Sequence, residues 1–380
     1  MGFFERGLMR DKIIIIGGGL AGLVNATLLA RKGLKVSLLE KKAYPFHKVC
    51  GEYISNEVKP FMKREGLFPR EAGQALLSRF QFTSIKGRSH LMPLDLGGFG
   101  VSRFLLDHFM VGKAREAGAH VLERESATAI QFDNDLFTVR TASGQNLEAH
   151  IVIGAYGKSA SLDRKLERSF TQKRSPYIGV KYHIKTDFPA DLIALHNFEG
   201  GYCGISAIEG DAYNLCYLGS RESLRQHGSI PEMEQVVLKK NPYLKSILEN
   251  SEFLFDKPEV INEFSFRPKS LIENHILMSG DTAGLITPLC GNGMAMAIHS
   301  AKILSDILLE HLKKPDWQRE DIEIAYARQW GRTFKKRLRT GRNTQKLFGS
   351  KITSELAVGL MKGSPWIARK IMAGTHGQPF

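Results

Sequence analysis

The first apolar segment of the chain is an unbroken run of isoleucines at residues 13–16. Because no polar residue interrupts it, the run predicts a strand buried on both faces, as in a parallel sheet. Apolar positions at helical spacing follow over residues 20–32, and Gly33 ends that helix. A second strand is predicted over residues 35–40. The order strand, helix, strand predicts a parallel βαβ unit at the start of an α/β fold.

Helical and strand periods alternate in the next hundred residues. A helix is predicted over residues 56–78, a strand pair over 80–94, and a second helix that Ser102 caps and Gly118 ends. Four further strands are predicted, at residues 120–123, 128–132, 136–141 and 151–154.

A different pattern occupies residues 174–263. Segments of strand character predict a largely antiparallel sheet, at residues 177–184, 192–198, 202–209 and 212–218. A buried strand returns at residues 275–281, a long helix follows over about 293–312, and the tail from 318 to 370 is helical and basic. The first domain is therefore interrupted by an insert and completed after it.

The predicted fold class is α/β, with a three-layer Rossmann-like domain, an inserted mixed or antiparallel sheet that binds substrate, and a helical C-terminal segment. The discontinuous first domain is assigned to residues 1–78, 95–170 and 265–312. The inserted domain is assigned to residues 79–94 and 171–264, and the helical segment to residues 313–380.

The turn between the first strand and helix carries Gly17, Gly19 and Gly22 in the spacing G-x-G-x-x-G. Glycines at this spacing permit a tight turn, close approach of the backbone to a pyrophosphate, and close packing of the helix on the strand. The motif alone is weak evidence, but strand, glycines, helix and second strand occur here in one unit.

The start of the predicted helix, with Leu20 and Ala21 in its first turn, is an anion site because its amide groups lack intrahelical acceptors. Glu40 ends the second strand, about 20 residues past the glycines, where a carboxylate accepts hydrogen bonds from a ribose diol. These features together predict that a dinucleotide containing ADP binds here.

Composition excludes several classes of protein. No apolar run approaches the ~18 residues of a spanning helix, and the N-terminus lacks the apolar core of a signal peptide, so a cytoplasmic protein is expected. The cysteines are scattered and form no C-x-x-C pair; they are Cys50, Cys203, Cys216 and Cys290. Neither a disulfide framework nor a metal site is therefore expected.

The net charge is +14, from 53 Lys and Arg against 39 Asp and Glu. The excess favours acidic partners, anionic membrane surfaces or phosphorylated ligands, and the basic C-terminal helices could contact an anionic membrane peripherally, although a solvated helix face is the favoured explanation because charge runs usually face water. No nucleic-acid-binding motif accompanies the charge, so no nucleic-acid partner is expected. The oligomeric state is left open.

Three blocks in order carry a family resemblance: the glycine fingerprint, residues 151–159 and residues 280–294. The chain resembles the flavoprotein superfamily of group A monooxygenases, flavin-dependent halogenases and geranylgeranyl-type reductases. The resemblance spans about the first 310 residues and implies an FAD/NAD(P)-binding domain that holds FAD.

The resemblance also implies roles for the third block. Asp281, after Gly280, would accept hydrogen bonds from the ribityl chain of FAD. Pro288, Gly291 and Gly293 would wrap the backbone around the pyrimidine edge of the flavin. The helix that begins near Gly293 would turn its positive end toward the ring, which favours an anionic reduced flavin.

Other residues are assigned by the same resemblance. Arg103 matches an arginine near the adenosine and pyrophosphate of FAD, where a planar donor is suited to phosphate. Lys48, Cys50 and Gly51 resemble the cysteine–glycine loop of the reductases, which would pass beside the isoalloxazine ring. Whether Cys50 reacts or is only a small packed residue stays open, and so does whether Lys48 and its neighbour His47 place positive charge near the flavin.

Two departures from the family pattern matter. The middle block reads Tyr156-Gly157 where the family has Asp-Gly, which makes the manner of NAD(P)H use uncertain. The strand with Tyr202 stands in place of an aromatic-rich strand and lacks the tryptophan signature of halogenases. By strand alternation Tyr202, Gly204 and Ser206 share a face that either roofs the substrate or belongs to the sheet core. Residues 213, 215 and 217 are expected to extend an aromatic lining.

The expected function is that of an FAD-dependent oxidoreductase, with a monooxygenase that hydroxylates or epoxidises a small apolar or aromatic metabolite placed first. The first alternative is a flavin-dependent C=C reductase or dehydrogenase of the geranylgeranyl reductase type. The second is a non-enzymatic flavin-binding redox protein. NAD(P)H or a partner reductase is the expected electron donor.

Overall fold

The computed structural model describes residues 12–70, 73–158, 161–172, 175–262, 265–287, 291–345, 349–363, 366, 374 and 376–380. The strands in these ranges are β1 Lys12–Ile16, β2 Lys35–Glu40, β3 Tyr53–Ser55, β4 Ala75–Thr83, β5 Ser89–Gly100, β6 His120–Glu123, β7 Ala127–Asp133, β8 Leu136–Thr141, β9 Asn146–Ala149, β10 Ile151–Gly154, β11 Tyr177–Lys185, β12 Leu192–Phe198, β13 Gly201–Ala207, β14 Tyr213–Ser220, β15 Glu252–Phe253, β16 Glu259–Ile261, β17 Ile272–Glu273 and β18 Ile276–Met278. The helices are α1 Leu20–Ala30, α2 Lys59–Arg64, α3 Arg103–Glu116, α4 Ser161–Lys165, α5 Arg221–His227, α6 Ile230–Val236, α7 Pro242–Asn250, α8 Gly293–His311, α9 Arg319–Gln345 and α10 Lys351–Gly363.

The first sheet has the order β17-β18-β10-β1-β2-β6 and is parallel apart from β17. Strand β1 lies in its interior, with Ile13 paired to Ile151 on one side and to Val36 on the other. Helices α1, α3 and α8 pack together on one face, and the three-stranded sheet β7-β8-β9 contacts the other. The three-layer domain predicted from the sequence is therefore confirmed.

The second sheet has the order β15-β11-β14-β13-β12-β4-β5-β3, with β16 beside β11. Its pairs are antiparallel except for β12 and β4, which run in parallel. The register aligns Lys181, Cys216, Gly204 and Leu195 across neighbouring strands. We call the side that carries these four residues the front face, and the opposite side the back face.

The back face is covered by helices α5, α6 and α7, which the sequence reading missed when it described residues 174–263 as strands only. Each of these helices is short, and a polar side chain caps its first turn: Ser220, Ser229 and Asn241 accept hydrogen bonds from backbone N–H groups. Their apolar side chains Met233 and Leu244 complete the core against the back face. Helices of seven to nine residues are stable only through such packing.

The helix predicted over residues 56–78 was wrong in its second half. Helical backbone ends at Arg64, and Ala75 already begins β4. The second sheet thus takes in β3 and all of β4 and β5, which extend beyond the residues 79–94 assigned to the insert. Pairing with β5 decides the conformation of residues 75–78, because a strand in a sheet gains hydrogen bonds that local propensity does not supply. The domain boundaries themselves stay a prediction.

The C-terminal helix α9 packs on α8 through Tyr326, Trp330 and Phe334. Lys335 and Lys336 lie on its exposed side. Within the described ranges, none of the helices combines the length and the hydropathy that a bilayer crossing requires. Peripheral contact of the basic surface with an anionic membrane stays a prediction.

Replacement of Gly22 by alanine tests how α1 packs on β1. A Cβ atom at Gly22 would lie 1.9 Å from the carbonyl oxygen of Gly17, so we expect Gly22→Ala to lower the free energy of unfolding by about 1–3 kcal/mol. The matched control is Gly112→Ala in α3, where no atom lies within 4 Å of the added carbon. Gly112→Ala is expected to raise the free energy of unfolding by about 0.5–1 kcal/mol. Denaturant unfolding followed by circular dichroism measures both, and equal effects would contradict the packing argument.

Candidate functional site

The turn between β1 and α1 depends on its glycines. Gly17 has φ 105°, and a Cβ atom there would lie 2.5 Å from the carbonyl oxygen of Ala155, the residue that follows the neighbouring strand β10. Gly22 contacts the carbonyl of Gly17 in the same way. The helix begins directly after Gly19, so the amides of Leu20 and of the next residue lack intrahelical acceptors and create a positive helix end.

Two cations lie in front of Gly19. The guanidinium Nη2 of Arg103 and the ammonium Nζ of Lys48 are 3.7 Å and 3.9 Å from the position of a Cβ atom on Gly19. Both are held by Asp107, which accepts from Arg103 at 2.8 Å and 2.7 Å and from Lys48 at 2.9 Å. A helix N-terminus faced by two positioned cations is suited to a diphosphate.

Asp107 is a residue that the sequence reading did not assign. Its side chain is buried, and burial alone would raise its pKa. The charges of Arg103 and Lys48 outweigh that effect and hold the pKa of Asp107 below its usual value. The carboxylate therefore stays ionised and orients both cations. Its position four residues after Arg103 on a helix was the signal that could have identified it.

Glu40 lies at the end of β2 beside the same turn. Its Oε2 accepts the N–H of Gly18 at 2.9 Å, and its Oε1 accepts the N–H of Lys42 at 3.0 Å. A carboxylate has about four lone-pair directions, so capacity remains for a ribose diol. The Tyr44 hydroxyl donates to the carbonyl of Gly18 and braces the loop that follows.

The second motif, Gly280–Thr282, forms a short 3-10 turn after β18 and meets the first motif directly. Gly280 has φ 65°, and a Cβ atom there would lie 2.7 Å from the Cβ of Ala21. The carbonyl of Asp281 accepts Lys269 Nζ at 2.8 Å. Two segments far apart in the sequence thus form one surface around the start of α1.

The remaining residues assigned to the cofactor lie at the start of α8. Gly291 has φ 60° and lies against the ring of Tyr53, and Gly293 is the first residue of the helix. Pro288 and Cys290 lie outside the described residues. The donor set described here, with a helix end and cations for a diphosphate and carboxylates at Glu40 and Asp281 for hydroxyl groups, fits FAD.

Tyr156 of the middle block belongs to a network of hydrogen bonds with Asp163 and Arg168. The hydroxyl of Tyr156 donates to Asp163 Oδ1 at 3.0 Å, and Arg168 pairs with the same oxygen at 2.8 Å. Arg168 is buried and also donates to the carbonyl of Thr282 at 3.1 Å. Asp163 therefore joins Tyr156 to Arg168, and Arg168 in turn braces the Gly280–Thr282 turn.

The loop at residues 48–52 touches the front face of the second sheet through Lys48 and Glu52, and partly exposed residues beside these contacts indicate a cleft between loop and sheet. Gly204 and Cys216 lie on central strands, where a sheet residue is normally covered, yet both are partly exposed. Gly51 is exposed opposite, with no atom within 4 Å of an added Cβ. Cys50 is partly exposed in the same loop.

The cleft has an apolar wall on the front face. Tyr202 and Leu218 form one cluster there with Leu285, which comes from the loop after the Gly280–Thr282 turn. The front face therefore turns toward the proposed cofactor site. The expectation that residues 213, 215 and 217 extend this lining was wrong. The register pairs Tyr217 with Cys203 on the back face, where all three pack under α6 and α7.

A buried ionic cluster of Glu52, Lys181 and His183 lies beside the cleft, and the sequence reading gave it no role. Glu52 has φ 51°, a backbone conformation uncommon for a residue with a Cβ atom. Its carboxylate lies 2.5 Å from Lys181 Nζ and 2.6 Å from His183 Nε2, and it also accepts the N–H of Arg103 at 2.7 Å. A lysine and a histidine on one face of a buried strand were the available signal.

Electrostatics keep Glu52 ionised. Burial alone would raise its pKa, but the hydrogen bond with His183 and the charge of Lys181 outweigh burial and leave the pKa below its usual value. The neighbouring His47 is packed between Phe104 and Phe255, and burial followed by the charge of Lys181 lowers its pKa to about 4. His47 is therefore neutral at pH 7 and places no charge near the site, whereas the ammonium of Lys48 lies at the diphosphate end.

Residues 10–321 match the sequence profile of the family described as FAD binding domain. The digeranylgeranylglycerophospholipid reductase of Methanosarcina acetivorans is 26% identical over 340 residues, which cover 84% of this chain and 80% of that protein. Conditioned medium factor receptor 1 of Dictyostelium discoideum is 23% identical over 339 residues, 82% of this chain but only 66% of that protein. The solved structure of PqsL from P. aeruginosa in complex with 2-aminobenzoylacetate shares the fold, with a TM-score of 0.74, 18% identity and coverage of 92% of this chain and 99% of that chain.

Replacement of Arg103 tests the diphosphate clamp. A charge-assisted hydrogen bond contributes about 1.5–3 kcal/mol, so Arg103→Gln is expected to weaken FAD binding by roughly 10- to 100-fold. The matched control is Arg115→Gln on the same helix, because Arg115 is half-exposed and pairs only with Glu123 among the described residues. Titration of apoprotein with FAD, followed by flavin fluorescence, measures both. Unchanged affinity in Arg103→Gln would contradict the assignment.

Proposed function

Because this chain belongs to the FAD binding domain family and is an FAD-dependent oxidoreductase, we propose that it is a monooxygenase that hydroxylates or epoxidises an apolar or aromatic metabolite. The observation that carries the proposal is the cleft between the Cys50–Gly51 loop and the front face of the second sheet. Its floor has the small residues Gly204 and Cys216, and its wall has the apolar cluster of Tyr202. Small floor residues beside apolar side chains leave room for a flat hydrophobic molecule.

FAD held in this site would supply the redox chemistry between a nicotinamide donor and oxygen or a carbon centre. The chain contributes position and shielding. Arg103 and Lys48 hold the diphosphate end, while Glu40 and Asp281 bind hydroxyl groups. The sheet of the insert keeps water away from the substrate, because most of its front-face side chains are buried.

NAD(P)H is the proposed electron donor. A partner reductase remains the alternative donor.

Reduction of a carbon–carbon double bond is the second candidate reaction. The reductase of Methanosarcina acetivorans, whose name states that it acts on a geranylgeranylated glycerophospholipid, supports it. The Cys50–Gly51 loop, which resembles that of geranylgeranyl reductases, also supports it. An apolar cleft is compatible with an isoprenoid chain as well as with an aromatic ring.

Oxygen dependence separates the two reactions. FAD-loaded protein is supplied with NADPH or NADH and with panels of alkylated phenols and of polyprenyl compounds, under oxygen-18 gas and under nitrogen. A monooxygenase is expected to form a product that carries one oxygen-18 atom and only when oxygen is present. A product that carries two added hydrogens and forms under nitrogen would show that the protein is a reductase and not a monooxygenase. Flavin reduction without any product would favour a non-enzymatic redox protein.

Filling the cleft floor tests the substrate site. A Cβ atom on Gly204 would meet Leu195 at 3.3 Å, and the larger side chain of Gly204→Leu projects from the front face, on the side of the cleft. We expect substrate conversion to fall about tenfold or more, since an obstructed pocket loses substrate contacts, while FAD affinity is unchanged. Product formation and FAD titration are compared with wild type. Equal loss of both would place Gly204 in the cofactor site instead.

A further inference from the structure

The cluster of Glu52, Lys181 and His183 is a continuous chain of hydrogen-bonding groups. His183 Nε2 lies 2.6 Å from Glu52 Oε2, and Glu52 Oε1 lies 2.5 Å from Lys181 Nζ. The carboxylate therefore connects an imidazole with an ammonium group, one through each oxygen. Each of the three side chains is able to bind and release a proton.

Burial distinguishes the two ends of this series of hydrogen-bonded side chains. Glu52 and Lys181 are 0% exposed, whereas His183 retains 7% exposure and is the end that solvent reaches. Lys181 lies directly across the strand pair from Cys216, which is partly exposed on the cleft floor. Directly opposed residues of antiparallel strands have Cβ atoms roughly 4.5–5.5 Å apart. Lys181, the buried end of the series, thus lies at the edge of the cleft.

One donor of Lys181 remains available. Its Nζ donates to Glu52 and to the carbonyl of Lys48 at 3.2 Å, and these are its acceptors among the described residues. An ammonium group has three N–H donors. The carbonyl bond also fixes the loop that carries Cys50, so Lys181 is held in relation to both walls of the cleft.

We propose that Lys181 supplies the proton that the reaction in the cleft takes up, and that Glu52 and His183 replace it from solvent. The inference rests on the proposed function, because either candidate reaction takes one proton from solution. In oxygen insertion, substrate, O2, NAD(P)H and one proton give hydroxylated product, water and NAD(P)+. In double-bond reduction, one carbon receives hydride, the other receives the proton, and NAD(P)+ is released.

The proton moves along named atoms. Lys181 Nζ gives its proton to the reacting group in the cleft. His183 Nε2 gives a proton to the Glu52 carboxylate, the carboxylic acid so formed gives a proton to the neutral Lys181 amine, and water reprotonates His183. No group gains or loses net charge over the cycle.

A purely structural role explains the cluster less well. A buried ion pair contributes little net stability compared with apolar residues of similar size, because desolvation opposes the attraction. Strand β11 accepts apolar residues at its neighbouring buried positions, such as Val180 and Ile184. Buried, coupled ionisable groups beside a cleft are typical of functional sites.

The test uses the oxidation of NAD(P)H by oxygen, which needs no identified substrate and also consumes a proton: NAD(P)H, O2 and one proton give NAD(P)+ and hydrogen peroxide. Loss of a proton-transfer group commonly costs 10²–10⁴-fold, so His183→Ala and Lys181→Met in the FAD-loaded protein are expected to slow oxygen uptake at least about tenfold. Added imidazole is expected to restore the oxidation rate of His183→Ala, because it can replace the missing ring, and not that of Lys181→Met. His275→Ala is the matched control, because His275 also pairs with a carboxylate, Glu323 at 2.8 Å, in another part of the fold.

Two further measurements separate proton supply from stability. FAD affinity and melting temperature are compared for all variants, and the nitrogen-15 signals of His183 in apoprotein are compared between wild type and Glu52→Gln. The proposal requires that Glu52→Gln shift the Nε2 signal, which reports their hydrogen bond. An Nε2 signal that is insensitive to Glu52→Gln overturns the proposal. So does oxidation of NAD(P)H at the wild-type rate by both His183→Ala and Lys181→Met. The proposal also fails when the lost oxidation rate of these variants parallels their lost FAD affinity and imidazole restores nothing. Wild-type protein that binds FAD but oxidises no NAD(P)H refutes the proposed electron donor instead. The nitrogen-15 result then still decides whether Glu52 and His183 are joined by a hydrogen bond.

Discussion

Backbone contact at the turn between β1 and α1 is the constraint on which the rest of the structure depends. The helix approaches the strand so closely that Gly22 lies against the carbonyl of Gly17, and Gly17 lies against Ala155 of the next strand. This close approach fixes the position of the positively polarised N-terminus of α1. Arg103, Lys48, Glu40 and the Gly280–Thr282 turn are then arranged around that position.

Two buried carboxylates hold the loop that joins this region to the second sheet. Asp107 binds Lys48 near the start of the loop, and Glu52 binds Lys181 and His183 at its end. Cys50 and Gly51 lie between these anchors and form one wall of the cleft. Each carboxylate is stabilised in its ionised form by the cations that it positions, so charge and loop geometry depend on each other. The cofactor end and the substrate end of the site are thereby connected through a few residues.

Local patterns allowed most of the first domain to be predicted. The runs at β1, β2 and β10, the capped helix α3 and the start of α8 at Gly293 all lie where periodicity and caps put them. Errors arose where long-range pairing outweighs local preference. Residues 75–78 are a strand because β5 pairs with them, and α5 to α7 are too short to give a clear helical period. Register put Tyr213, Leu215 and Tyr217 on the back face, since alternation within one strand cannot reveal how it aligns with its neighbour.

The sequence by itself determined the dinucleotide fingerprint, because its glycines and its terminal carboxylate act within one continuous βαβ unit whose geometry is local. It also carried the motifs by which the family is recognised. Only the tertiary structure decided that Asp107 holds Lys48 as well as Arg103, that Asp163 pairs with Tyr156 and Arg168, and that Glu52 meets Lys181 and His183 beside a cleft. Glu52 comes from a segment distant from the strand that carries Lys181 and His183, and Lys48 reaches Asp107 only through folding. Their roles follow from burial and charge pairing, which exist only once the chain has folded.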